Sequence, residues 1–306
     1  MRCTSPISLL CSDGSCAGTR TTVRCGQCIS CRISRTVEWA FRCMCELMYW
    51  NDASFVTLTY DDDHLPIDLG LHKWHYQDFL KRLRRRIDFK IKYFMCGEYG
   101  EQVVYPLTGL GRPHFHLIIF GLNPVTHREL IKSAWNFCDW KMLEASSRGR
   151  NAIGTVTFDS VKYVAGYIQK KILGKGAEDA YLRKLLQPPF QACSGGFGLR
   201  FALDNVQRLV SDCSIRYRTY EVTLPRYFVD KLNLKQDSAY NQKVLSDRFE
   251  HESSLLDEFY ELSSKRGFSA LNSREFSVYK ADRIPGITTV QRDNLIIKQR
   301  LFQRSL

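Results

Sequence analysis

The sequence predicts an α+β fold, one antiparallel sheet flanked by helices. Three observations carry this. Residues 55–60, 91–99, 112–120 and 153–158 are short β-branched and aromatic runs with the composition of strands. Residues 73–88 and 126–138 look helical, with apolar residues such as Phe79, Leu80, Leu83 and Ile87 at helical spacing in the first. The resulting order is strand, helix, strand, strand, helix, strand. That is the split βαβ, ferredoxin-like pattern, with helices expected on one face and an additional helix after it.

The elements follow in order. Residues 1–35 are cysteine-rich and loop-like, and Val37 to Trp50 reads as an apolar helix. Phe55 to Tyr60 is a strand ended by the turn Asp61-Asp62-Asp63. After the helix at 73–88 comes a strand from Ile91 to Tyr99. Residues 100–111 hold Pro106, Gly109 and Gly111 and read as a long hairpin loop. Arg112 to Phe120 is the third strand, 153–158 the fourth. Residues 160–173 form the additional helix, ended by Gly174. Beyond it, Pro188-Pro189 and Cys193 to Gly198 mark a loop, residues 237–265 look helical, and the tail from Asn294 alternates basic and apolar residues. The expected organisation is a cysteine-rich leader and helix (1–50), a core (51–175) and a largely helical accessory region (176–306).

The chain has 306 residues, 44% hydrophobic, enough for a substantial core. Its net charge is +12 and its pI about 9.1, a balance that suits a polyanionic partner. No apolar run reaches transmembrane length, and Ile7 to Cys11 is too short for a signal-peptide core, so an intracellular protein is expected. In a reducing compartment its 12 cysteines are thiols or metal ligands rather than disulfides.

Two segments carry the chemistry. In Arg112-Pro113-His114-Phe115-His116 the two histidines lie two residues apart, so a strand turns both imidazoles to one face. A lone histidine is more often structural, but a pair inside an apolar run reads as metal ligands. Glu98, near the end of the preceding strand, can lie beside them if the two strands pair antiparallel, with Glu101 as its rival. Two imidazoles and one carboxylate suit Mg²⁺ or Mn²⁺ with positions open for a phosphate oxygen. In Tyr163-Val164-Ala165-Gly166-Tyr167-Ile168-Gln169-Lys170, helical spacing brings both phenols to one side. Such pairs are commonly packing stripes, but small Ala165 and Gly166 leave room for a backbone to approach. Lys170 can bind a phosphate or favour a phenolate. Paired histidines with paired tyrosines point to phosphodiester cleavage through a phosphotyrosine.

Two further groups stand out. Cys25, Cys28 and Cys31 have the spacing of a partial zinc site. Cys3, Cys11 or Cys16 could complete it, with Cys3 slightly favoured among the three; free thiols are the alternative. Lys81, Arg82, Arg84, Arg85 and Arg86 crowd one helix and are candidate DNA contacts, although charge runs are usually solvated.

In the order and spacing of these segments the chain resembles the HUH-type rolling-circle replication initiators, and within them those of the microviruses and gokushoviruses. Residues 55–60 are similar to the first motif of that family, 112–116 to the metal motif and 163–170 to the two-tyrosine motif. The resemblance covers residues 55–171. It implies Glu98, His114 and His116 as metal ligands and Tyr163, Tyr167 and Lys170 as catalytic residues. One tyrosine would attack a phosphodiester and keep the 5′ end. The freed 3′-OH would prime synthesis, and the second tyrosine would cleave the regenerated origin. No ATP is needed, and the chain accordingly lacks a Walker A sequence. The resemblance also implies single-stranded DNA and an origin as partners, with a host helicase and polymerase, in the cytoplasm of a bacterial host. The alternatives are a non-catalytic zinc-containing nucleic-acid-binding protein and an HUH transposase or relaxase, the latter disfavoured by the second tyrosine.

Overall fold

The computed structural model describes residues 3, 5–10, 20–145, 152–170, 175–217 and 220–265. The elements run β1 (Ile7–Leu10), β2 (Arg20–Val23), α1 (Ile29–Leu47), β3 (Ala53–Leu58), α2 (Lys73–Arg84), β4 (Lys92–Tyr105), β5 (Leu110–Phe120), α3 (Arg128–Ala134) and α4 (Trp140–Ala145). They continue as β6 (Ile153–Thr155), α5 (Phe158–Lys170), α6 (Lys175–Ala180), β7 (Phe190–Cys193), α7 (Leu199–Asp204), α8 (Val206–Asp212), β8 (Ser214–Tyr217), β9 (Tyr220–Thr223), α9 (Arg226–Lys231) and α10 (Ser238–Lys265). Two compact units divide the chain: residues 39–201, and the described residues of 1–38 with those of 202–306.

The unit of residues 39–201 holds a five-stranded sheet in the order β6-β3-β5-β4-β7, antiparallel at every step. Its first four strands have the split βαβ order that the sequence predicts. β7 extends the β4 edge, pairing Phe94 with Cys193 and Gly97 with Phe190. Residues past 175 therefore complete this sheet.

Strand alternation separates two apolar layers. Val56, Leu58, Met95, Phe115, Leu117 and Ile119 pack with Tyr76, Phe79, Leu80 and Leu83 of α2 and Ile131 and Ala134 of α3. Phe94, Cys96, Ile118 and Phe120 pack with Ala40 and Cys43 of α1 and Val161, Val164 and Ala165 of α5. Helices thus cover both faces, where the sequence reading placed them on one. The cause lies in β5: from Phe115 to Phe120 residues of both parities are buried, so each face needs a covering layer. Phe79, fully buried, anchors α2, and its truncation to alanine would cost about 3–5 kcal/mol.

The β4–β5 hairpin is longer than the loop read at 100–111. Pairing resumes at Val104 with Gly111 and Tyr105 with Leu110 after an irregularity, and the turn closes through Gly109 N–H donating to Tyr105 O at 2.7 Å. At the far end of β5, Gly121 has φ +96°, and a Cβ there would lie 2.9 Å from the Trp50 ring. The residues after β3 form the turn read from the sequence: Asp61 accepts from the His64 and Asp139 N–H groups, and Asp62 pairs with Arg112.

In the other unit, β1 and β2 pair antiparallel with Ile7 opposite Val23. This short ladder stands where a loop was expected. β8 and β9 form a second pair, Ile215 opposite Val222, and α10 fills the span read as helical at 237–265. The basic tail from Asn294 lies outside the described residues.

Candidate metal centre and nucleophile

On β5, His114 and His116 share the parity of Ile118 and Phe120, so both imidazoles lie on the α5 side of the sheet. The β4–β5 register sets Glu98 opposite His114. Glu98 Oε1 lies 2.8 Å from His114 Nε2 and 3.4 Å from His116 Nε2. The three ligand atoms are all within 4.8 Å of one another. Glu98 and His116 are buried and His114 is half-buried.

The outer contacts orient these rings. His114 Nδ1 lies 3.0 Å from the Arg112 carbonyl, which can only accept, so Nδ1 carries the proton. In the neutral ring, Nε2 then turns a lone pair towards the Glu98 oxygen. Two acceptors at 2.8 Å call for a second proton or a cation between them. His116 Nδ1 is 3.0 Å from Thr57 Oγ1. Octahedral coordination at 2.0–2.1 Å implies ligand separations of about 3 Å, close to the two contacts observed. The donor set therefore fits a divalent cation with positions left open. Burial on its own would push the Glu98 carboxyl up. Hydrogen bonds from His114 and His116 outweigh it and hold the pKa at about 2, so Glu98 is a carboxylate at neutral pH.

α5 lies over this group through Val161, Val164 and Ala165. The Tyr163 ring centroid is 5.1 Å from that of His116 and 6.1 Å from that of Phe55. Tyr167 and Lys170 continue α5, but their side chains, like that of Glu101, lie outside the described ones. Thr57 is a site residue that the sequence reading missed. Its signal was pairing: it stands opposite His116 in the β3–β5 ladder.

The basic helix is placed elsewhere. α2 covers the sheet face opposite the histidines. Arg82 Nε donates to Ala134 O at 2.7 Å and Arg86 donates to Ser133 Oγ, so both are engaged with the α3 segment. Lys81 pairs with Asp78 at 3.0 Å, Arg84 stands 5.8 Å over the Tyr93 ring, and Arg85 is exposed. The structure does not bring these five residues to the candidate metal centre. It does bring Cys3 to Cys25, Cys28 and Cys31, whose sulfur atoms lie within 4.8 Å of one another. Cys11 and Cys16 lie outside the described residues.

Fold and site together define an α+β protein with a candidate divalent-metal centre beside a helical tyrosine. A family profile for replication-associated proteins of the ORF2 type matches residues 53–172, the segment that carries every group of this site. The chain is 30% identical over 248 residues to a replication-associated protein ORF2 of Spiroplasma virus 4, covering 74% of this chain and 73% of the relative. It is 31% identical over 177 residues to a replication-associated protein VP4 of Bdellovibrio phage phiMH2K, covering 51% and 50%. A replication-associated protein ORF4 of Chlamydia phage 1 is 27% identical over 230 residues, covering 71% and 55%. The chain belongs to this family of phage replication-associated proteins. No solved structure matches it. Among the described residues no helix is long and apolar enough to cross a membrane.

Proposed function

We propose that this chain initiates rolling-circle replication by nicking single-stranded DNA at a phage origin through tyrosine attack, and rejoins the ends to circularise the product. The observation that carries this is the convergence of Glu98, His114 and His116 beneath α5, with the Tyr163 ring 5.1 Å from that of His116. Glu98, His114 and His116 would hold the cation. Bound there, Mg²⁺ or Mn²⁺ supplies Lewis-acid polarisation of the scissile phosphate.

Tyr163 or Tyr167 forms a bond from its phenolic oxygen to phosphorus while the bond from phosphorus to the 3′ oxygen breaks. The phenol gives up its proton and the 3′ oxygen gains one. The 5′ end stays on the tyrosine and the 3′-OH primes synthesis. The other tyrosine repeats the exchange at the regenerated origin, and the new 3′-OH attacks the first phosphotyrosine to close the circle. Each step trades one phosphoester for another, so no nucleotide is consumed. Thr57 fixes the His116 ring, and Lys170 favours the phenolate or binds the phosphate.

Lys81, Arg82, Arg84, Arg85 and Arg86 are proposed DNA contacts remote from the cleavage site, consistent with the net charge of +12. The origin and the host helicase and polymerase are the proposed partners, in the host cytoplasm. Functionally, 51–175 would be the nuclease core, 1–50 its leader and 176–306 an accessory region. Incubation with labelled single-stranded DNA and Mn²⁺ tests the reading. A covalent protein–DNA adduct and a free 3′-OH product are expected, and binding without cleavage would reject it.

A further inference from the structure

We infer that Cys3, Cys25, Cys28 and Cys31 form a tetrathiolate site for one structural Zn²⁺, independent of the Glu98, His114 and His116 group. Cys3 Sγ lies 3.5 Å from Cys25 Sγ and 3.7 Å from Cys28 Sγ. A disulfide needs about 2.05 Å, far shorter than either. A zinc tetrahedron with Zn–S bonds of about 2.3 Å has sulfur–sulfur edges of about 3.8 Å, close to both. The four thiols thus stand at the spacing of ligands around a shared centre.

The backbone is arranged for negative sulfur. Cys25 N–H donates to Cys3 Sγ at 3.3 Å, and Gln27 and Cys28 N–H donate to Cys25 Sγ at 3.4 and 3.2 Å. Such outer donors orient thiolate ligands and spread their charge. Gly26, at φ +72° with open space where a Cβ would sit, lets the chain turn between the first two cysteines of the Cys-x-x-Cys step. Cys28 precedes α1 and Cys31 lies in its first turn, three residues on. Cys3 arrives from the other side of the β1–β2 ladder.

The surrounding structure also needs such a tie. All four side chains of β1 are exposed, Ile7, Leu9 and Leu10 among them. Apolar burial therefore does little to hold this ladder, and four-residue strands are too short to stand alone. Four Zn–S bonds would join the chain ahead of β1, the exit of β2 and the start of α1, with the four thiol protons released to solvent. Two of the ligands, Cys3 and Cys31, are already buried. A closed four-sulfur set leaves no position for substrate, so the role is structural.

The test is elemental analysis of the full-length chain purified without chelator. About one tightly held zinc per chain is expected, retained in His114→Ala plus His116→Ala and lost in Cys25→Ser plus Cys28→Ser. Because the cysteine variant can lose its fold together with the metal, exchange of the intact chain with Co²⁺ gives a second readout. The charge-transfer and intense d–d absorption of tetrahedral thiolate cobalt, bleached by added Zn²⁺, supports the site. Iron in place of zinc, zinc that leaves with the histidines, or no zinc with all four thiols reactive would each overturn it. Loss of nicking with zinc retained in the histidine variant would keep this inference separate from the nuclease reading.

Discussion

Glu98 and His114 face each other across the β4–β5 ladder, with Oε1 and Nε2 2.8 Å apart. Strand period brings His116 to the same side, and its Nε2 lies 3.4 Å from the same carboxylate oxygen. One oxygen therefore touches two imidazoles that are held from behind by a carbonyl and a hydroxyl. A cation between them would satisfy all three.

Replacing His114 or His116 with alanine should remove Mn²⁺-dependent nicking and leave affinity for single-stranded DNA within a few-fold. Cleavage of a labelled origin oligonucleotide, paired with fluorescence anisotropy, separates the two effects. Wild-type nicking by the double variant would discard the metal assignment.

Thr57→Val keeps the shape of the side chain and removes the hydroxyl from His116 Nδ1. Loss of such an outer contact typically lowers metal affinity about 10–100-fold. The Mn²⁺ titration of nicking should shift by that factor, with the rate at saturating metal near wild type. An unchanged titration would make Thr57 a packing residue only.

The Glu98 carboxyl also sets a pH dependence. Its pKa is held at about 2 in the folded metal-free chain, below the ordinary value of 4.5. A depressed folded pKa gives stability that is present above the unfolded pKa and lost as pH falls through the folded one. The denaturation midpoint of wild type should therefore fall relative to Glu98→Gln as pH drops from 5 towards 2. A difference that stays constant over that range would mean that the histidines do not hold the carboxylate.

Much of this site was legible in the sequence because period two is local. The spacing of His114 and His116 fixes their common face, and an antiparallel hairpin brings Glu98 back beside them. Thr57 was not legible, because its partner lies 59 residues away and depends on the β3–β5 register. The covering of both sheet faces was hidden for a related reason. The apolar faces of α1 and α5 announce that they pack, but not on which side. β7 was masked by Pro188-Pro189, which reads as loop although Phe190 to Cys193 pair with β4. The length of β4 and β5 was obscured by Pro106, Gly109 and Gly111. Ladder pairing overrides these local signals at Gly111, while Pro106 and Gly109 serve the turn.

The basic helix divides into two kinds of residue. Arg82→Ala should destabilise the chain by about 1–3 kcal/mol, because Ala134 O loses a charged donor. Arg84→Gln with Arg85→Gln should leave stability nearly unchanged, since both side chains are exposed. If both contact phosphates, the salt dependence of single-strand binding flattens by roughly 0.7 per lost contact. A slope equal to wild type would show this surface to be solvated.

The central claim is that tyrosines of α5 carry the DNA. Its most direct test is mass spectrometry of the tryptic DNA–peptide adduct formed on an origin oligonucleotide with Mn²⁺. Adducts are expected on Tyr163 and Tyr167. Each single change to phenylalanine should leave one adduct and block circularisation, and the double change should leave none. An adduct mapping to another residue, such as Tyr99 or Tyr181, or one surviving in Tyr163→Phe plus Tyr167→Phe, would contradict the account.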